Sequence, residues 1–105
     1  MKRSVKILDD AADEAAEAAA WYERQHEGLG FAFEQAVYAA LDLLEEGIVP
    51  LTPMPGSAGK RGARRLILKR FPYSVVVREQ DAEVVVIAFA HHARRPGYWR
   101  DRLGG

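Results

Sequence analysis

RRLILKRFPYSVVVREQDAEVVVIAFAHH, residues 64–92, holds three β-rich runs at about Arg64 to Lys69, Tyr73 to Arg78 and Glu83 to Ala90. Branched and aromatic side chains dominate them and turn residues bound them, which is the pattern of strands. Arg70-Phe71-Pro72 joins the first pair, where proline ends pairing, and Gln80-Asp81-Ala82 joins the second. Links this short make consecutive strands antiparallel neighbours, so the run reads as a three-stranded meander.

Upstream, Val5 and Ile7 alternate with Ser4 and Lys6, which predicts a short half-buried strand over Ser4 to Leu8. Asp9 and Asp10 are expected to cap the helix that follows, with Asp13 in a box-like position. That helix runs from Ala11 to about Gln25 and is rich in alanine, with Ala12, Ala15, Ala16, Ala19 and Tyr22 forming its smooth face. Gly28-Leu29-Gly30 breaks it. Phe33, Val37, Ala40, Leu41 and Leu44 then recur at helical spacing until Gly47 closes a second helix, completing a helical hairpin. From Ile48 to Ala63 the density of proline and glycine predicts an irregular loop. The order is β-α-α-β-β-β, a helical hairpin over a small sheet, in the α+β class. With no repeat and no low-complexity tract, residues 1–105 read as a single domain.

The net charge of zero hides an asymmetry. Residues 1–50 carry four Lys/Arg against eleven Asp/Glu, and residues 51–105 carry eleven against four, so the halves stand at −7 and +7. Two arrangements satisfy this: a polyanionic partner for the basic half, or acidic helices lying over a basic sheet. There is no cysteine, which excludes disulfides, thiolate chemistry and Cys-ligated zinc, and fits a reducing cytosol. No apolar run is long enough for a membrane span, and Met1-Lys2-Arg3-Ser4 lacks the apolar stretch of a signal peptide. A soluble cytoplasmic protein is expected.

With that order established, three stretches resemble the RelE/ParE superfamily, the toxins of type II toxin–antitoxin modules and plasmid stabilisation systems. Trp21-Tyr22-Glu23, Gln25, Gly28-Leu29-Gly30 and Phe33 are similar to its helical hairpin. Arg70-Phe71-Pro72-Tyr73 and the branched strand after it look like its middle strands. His91 and Arg94-Arg95-Pro96-Gly97-Tyr98-Trp99 resemble its C-terminal signature. The resemblance implies one of two activities. RelE-like members cleave messenger RNA on the ribosome without a metal or other cofactor, and ParE-like members poison DNA gyrase without catalysis. It also implies a cognate antitoxin as partner, which an exposed strand edge and a basic face would accommodate as an added strand or a docked helix. A member that has lost toxicity and only binds its antitoxin is a third possibility.

Metal-independent RNA cleavage needs a base for the ribose 2′-hydroxyl, cations for the phosphate and an acid for the leaving 5′-oxygen. Arg70 resembles the family's phosphate-stabilising arginine, the alternative being an exposed hairpin cation. His91 ends the last strand, where an imidazole can exchange a proton near neutral pH or can simply pack against its neighbours. Tyr98 can donate a proton or stack on a base. Arg70, His91 and Tyr98 are therefore the catalytic candidates. Arg64, Arg65, Arg94 and Arg95 are the candidates for nucleic-acid contact, with at most one of Arg64 and Arg65 on the site's face because strand neighbours alternate. His92 alternates away from His91 and is the poorer candidate. Trp99 is expected in the core. No metal site is expected, since His26, His91 and His92 lack ligand spacing. In one respect the chain departs from the resemblance: several RelE-like nucleases draw a lysine or glutamate base from the second helix or the loop, and here the loop offers only Lys60, while Glu45 and Glu46 end the second helix without forming a recognisable pair with His91.

Overall fold

The computed structural model describes residues 2–47 and 51–104. Its elements are β1 (Ser4–Ile7), α1 (Asp9–Gln25), α2 (Leu29–Glu46), β2 (Thr52–Pro53), α3 (Gly56–Lys60), β3 (Ala63–Ile67), β4 (Tyr73–Gln80) and β5 (Glu83–His91), followed by a 3-10 turn at Arg100–Leu103. The strands form one sheet in the order β1-β5-β4-β3-β2. The expected meander is β3-β4-β5, paired antiparallel throughout. β1 adds to it in parallel beside β5, because the α1–α2 hairpin carries the chain across the sheet between them. The loop expected to be irregular contributes a two-residue edge strand and one helical turn; its first residues, 48–50, lie outside the described residues.

Two local expectations are corrected. Leu8, not an aspartate, occupies the cap position of α1, and no side chain caps the helix. Leu8 donates its backbone N–H to the Val86 carbonyl and packs into the core, so the chain turns from strand to helix without a spare residue. Asp9 and Asp10 fall in the first turn instead, where their charge suits the helix dipole. On α1, Ala11 and Ala18 are buried and Ala15, Ala19 and Tyr22 are half-buried against the core as expected, while Ala12 and Ala16 are exposed. A helix with alanine on every face offers no contrast from which to choose the stripe, and packing against both α2 and β5 makes the choice.

The core has two layers. Phe33, Val37, Ala40 and Leu44 of α2 join Val75, Val77, Val84, Val86 and Phe89 on the helix-covered face. Tyr22 stacks on Phe33 at 5.3 Å and meets Phe71 edge-on at 4.9 Å, so it anchors the hairpin to the sheet, while its neighbour Trp21 stays half exposed. α1 and α2 approach so closely at Gly30 that a Cβ there would lie 2.6 Å from the Ala19 carbonyl oxygen. On the opposite face, Val76, Ile87 and Ala88 are covered by Trp99 and Leu103 of the C-terminal segment, each 2% exposed.

One irregularity decides which side chains face where. Val77 pairs with Val86 but Val76 pairs with Ala88, so Ile87 is an extra residue in β5. Such a bulge inverts the alternation beyond it. Ile87 and Ala88 both join the Trp99 layer, and Phe89 returns to the helix side.

Candidate functional site

The bulge places His91 on the helix-covered face, across the ladder from Tyr73, whose ring it meets edge-on at 5.0 Å. His92, the next residue, falls on the other face, where its Nε2 lies 2.9 Å from Ser74 Oγ. His91 Nδ1 accepts the Ala93 backbone N–H at 2.9 Å, which fixes the ring and leaves Nε2 free. Two cavities open at this end of the sheet, and His91 and Arg94 line both.

The smaller cavity, about 160 Å³, lies on the face away from the helices. Val76, Ala90 and Trp99 are among its lining, together with Arg65, Ser74, His91, His92, Arg94, Arg95 and Tyr98. No carboxylate lines it among the described residues. β3 positions Arg65: Arg65 pairs with Val76 across the ladder, so its side chain lies on the Val76 face. Arg64 falls on the helix-covered face and meets Glu79 at 3.1 Å, which confirms the alternation expected for this pair. Among the described residues Arg65 Nε is buried and makes no hydrogen bond, which is costly for a cationic donor.

The larger cavity, about 540 Å³, is a cleft between α1 and the His91 end of the sheet. Its lining includes Glu14, Glu17, Trp21, Arg24, Tyr73, His91 and Arg94. Glu14 is the polar centre here, with a side chain only 13% exposed. It accepts the Tyr98 hydroxyl at 2.6 Å, the Arg102 guanidinium at 3.0 Å and the Phe89 backbone N–H at 3.1 Å. Arg94 lies 3.6 Å from its other oxygen and 3.7 Å from the centre of the Tyr98 ring. One helix residue thus ties α1 to β5 and to Arg94 and Arg102, two of the four arginines of the C-terminal segment. Sequence reasoning missed Glu14, because an Asp or Glu in a helix so rich in acids and alanine is read as solvent-facing.

This geometry separates the three catalytic candidates. Burial, the hydrogen bond to Glu14 and its charge push the Tyr98 phenol well above the ordinary tyrosine range. A phenol so engaged is a poor proton donor, and Tyr98 reads as a structural tie. Arg70 sits at the tip of the β3–β4 hairpin, exposed, with a left-handed φ of 71°, and lines neither cavity. Its position follows from Phe71, which is buried and turns the chain at the hairpin so that its neighbour faces out. His91 is at the site. Of the nucleic-acid candidates, Arg65, Arg94 and Arg95 line the carboxylate-free cavity and Arg64 does not.

The charge asymmetry resolves in part by internal pairing. Glu14 and Asp10 of α1 neutralise Arg102 and Arg94, and Glu79 binds both Arg3 and Arg64. Of the arginines around the smaller cavity, Arg65 and Arg95 form no salt bridge among the described residues, and Arg94 shares Glu14 with Arg102.

No family model matches the sequence, and no curated protein matches it. A chain of a solved structure described as "Chromosomal ParDE TA system from P. aeruginosa" is similar in structure, with a TM-score of 0.72 and 18% identity over 86% of this chain and 96% of that one. At that identity the likeness establishes the fold: the RelE/ParE-like α+β arrangement expected from the sequence is the one this chain adopts. No helix among the described residues is long and apolar enough to cross a membrane.

Proposed function

We propose that this chain is the toxin of a type II toxin–antitoxin pair, held by a cognate antitoxin, and that it acts on messenger RNA at the carboxylate-free cavity. The observation that carries this reading is the set Arg65, Arg94, Arg95, His91, His92 and Ser74 around one small cavity with no acidic side chain in its wall. Guanidinium groups in a recess of this kind suit a phosphodiester, whose oxygens take paired N–H donors.

The chemistry assigned to it is an internal displacement. His92, held through Nε2 by Ser74, takes the proton of the ribose 2′-hydroxyl as that oxygen attacks phosphorus. The arginines stabilise the added negative charge. The bond from phosphorus to the 5′-oxygen breaks, and that oxygen takes a proton from water at the open mouth of the cavity. The products are a 2′,3′-cyclic phosphate and a free 5′-hydroxyl. This moves the phosphate role from Arg70 to Arg65 and gives Tyr98 no part in proton transfer. By the resemblance, cleavage occurs on the ribosome in the cytoplasm, and no cofactor is required.

Non-catalytic binding of DNA gyrase, the ParE-like activity, is the second reading. It draws support from the engagement of Tyr98 by Glu14, which removes one expected acid, and from the fold shared with a chain of a ParDE system. Primer extension on a message in a reconstituted translation reaction separates the two. Ribosome-dependent cuts that disappear in Arg65→Ala and His92→Ala are expected. An intact message with loss of gyrase supercoiling in the parallel assay would sink the nuclease reading.

A further inference from the structure

The two cavities meet at a ridge made by His91 and Arg94 and differ in chemistry. The smaller has cations and no acid. The larger mixes acid, base and aromatic ring: Glu17 and Arg24 stand at its rim, Trp21 is 50% exposed, and Tyr73 lies within. Neither Glu17 nor Arg24 forms a salt bridge among the described residues. A phosphate would be repelled by Glu14 and Glu17. A nucleobase would not, since it is neutral, planar and edged with both donors and acceptors.

We infer that this cleft is a nucleobase subsite: it receives the base adjoining the phosphate held in the smaller cavity, with the strand crossing the His91–Arg94 ridge. The inference rests on the phosphodiester reading proposed above. Trp21 supplies the stacking face, as exposed aromatic rings do for single strands. Glu17 accepts from an exocyclic amino group and Arg24 donates to a ring nitrogen or carbonyl. Arg94 is the pivot between the subsites, because it lines both, meeting Glu14 of the cleft and lying over the ring of Tyr98, which lines the smaller cavity. Volume is consistent with the assignment, since about 540 Å³ falls in the range that encloses small organic ligands, while about 160 Å³ does not.

The two tryptophans make the test direct. Trp99 is buried at 2% exposure but lines the smaller cavity, so quenching present in the parent and absent in Trp21→Ala reports Trp21, while anisotropy of a labelled oligonucleotide gives the affinity of every variant. The probes are a tetranucleotide RNA with a 2′-O-methyl group blocking the attacking oxygen and matched versions with one abasic position each. Quenching by the parent oligonucleotide is expected, with affinity about tenfold lower when the cleft base is removed or when Trp21 is changed to alanine. Trp21→Phe should recover most of that loss. Equal, phosphate-dependent binding of the parent and all abasic probes, with no quenching, would overturn the nucleobase subsite and leave the phosphate cavity standing. If no probe binds at all, both this inference and the phosphodiester reading fall.

Discussion

Glu14→Ala is the substitution on which this reading of the fold depends most. The carboxylate is 13% exposed and meets four donors: Tyr98 Oη, Arg102, the Phe89 N–H and, more loosely, Arg94. Breaking a buried ion pair from one side costs about 3–5 kcal/mol when the other charge is stranded. Arg102 is not fully stranded, since it keeps the Ile87 carbonyl at 3.3 Å and Asp10 at 3.6 Å, which moves the cost to the lower end. Tyr98 and Phe89 each lose an acceptor, worth roughly 1–3 kcal/mol if dry, but the open cleft admits water and reduces this. Arg94 is 55% exposed and adds little. The sum is about 3 kcal/mol, a large share of the roughly 5–15 kcal/mol available to a domain of this kind. For a chain of 105 residues that corresponds to a fall in Tm on the order of 15 °C. Glu14→Gln keeps an acceptor for Tyr98 and should lose about half as much. Urea and thermal unfolding followed by circular dichroism measure both. A Glu14→Ala midpoint within about 1 kcal/mol of the parent would refute the claim that this carboxylate joins helix to sheet.

Three other outcomes are expected. Tyr98 has a folded-state pKa raised above its unfolded value near 10, so its contribution is complete below that pH and is lost as pH rises beyond it. The urea midpoint of the parent should therefore drop more steeply above pH 10 than that of Tyr98→Phe, and parallel curves would contradict the tie to Glu14. Gly30→Ala drives a Cβ against the Ala19 carbonyl and should destabilise by about 1–3 kcal/mol despite alanine's better helix propensity; thermal unfolding decides, and a gain would mean the helices part easily. Arg70→Ala should leave growth arrest on expression unchanged while Arg65→Ala abolishes it, the reverse of what the sequence suggested, with equal soluble levels of both as the control.

The strands, the hairpin and their order were legible because each rests on a local signal. Val75 to Val77 and Val84 to Val86 announce buried strands by their branching, and Phe33, Val37, Ala40 and Leu44 announce a helix face by spacing. Trp99 was rightly placed in the core for its size and lack of charge. On α1 the expected Ala15, Ala19 and Tyr22 pack on the core, but Ala11 and Ala18 take the buried places given to Ala12 and Ala16, because alanine on all sides carries no such signal. Among the site residues, His91 and Arg94 were placed at the correct end of the sheet by the end of the last strand. Arg65 could be narrowed only to one of a pair.

What the sequence determined by itself is the sheet-and-hairpin architecture, since hydrophobic periodicity and turn residues act over a few positions and were all present. What only the tertiary structure decided is which side chains meet. The extra residue at Ile87 swaps the faces of His91 and His92, and nothing in a run of apolar strand residues marks where a bulge will fall. The union of Glu14 with Tyr98 and Arg102 joins residues 84 and 88 positions apart. Its strength comes from desolvation, which exists only once the chain has closed around the carboxylate.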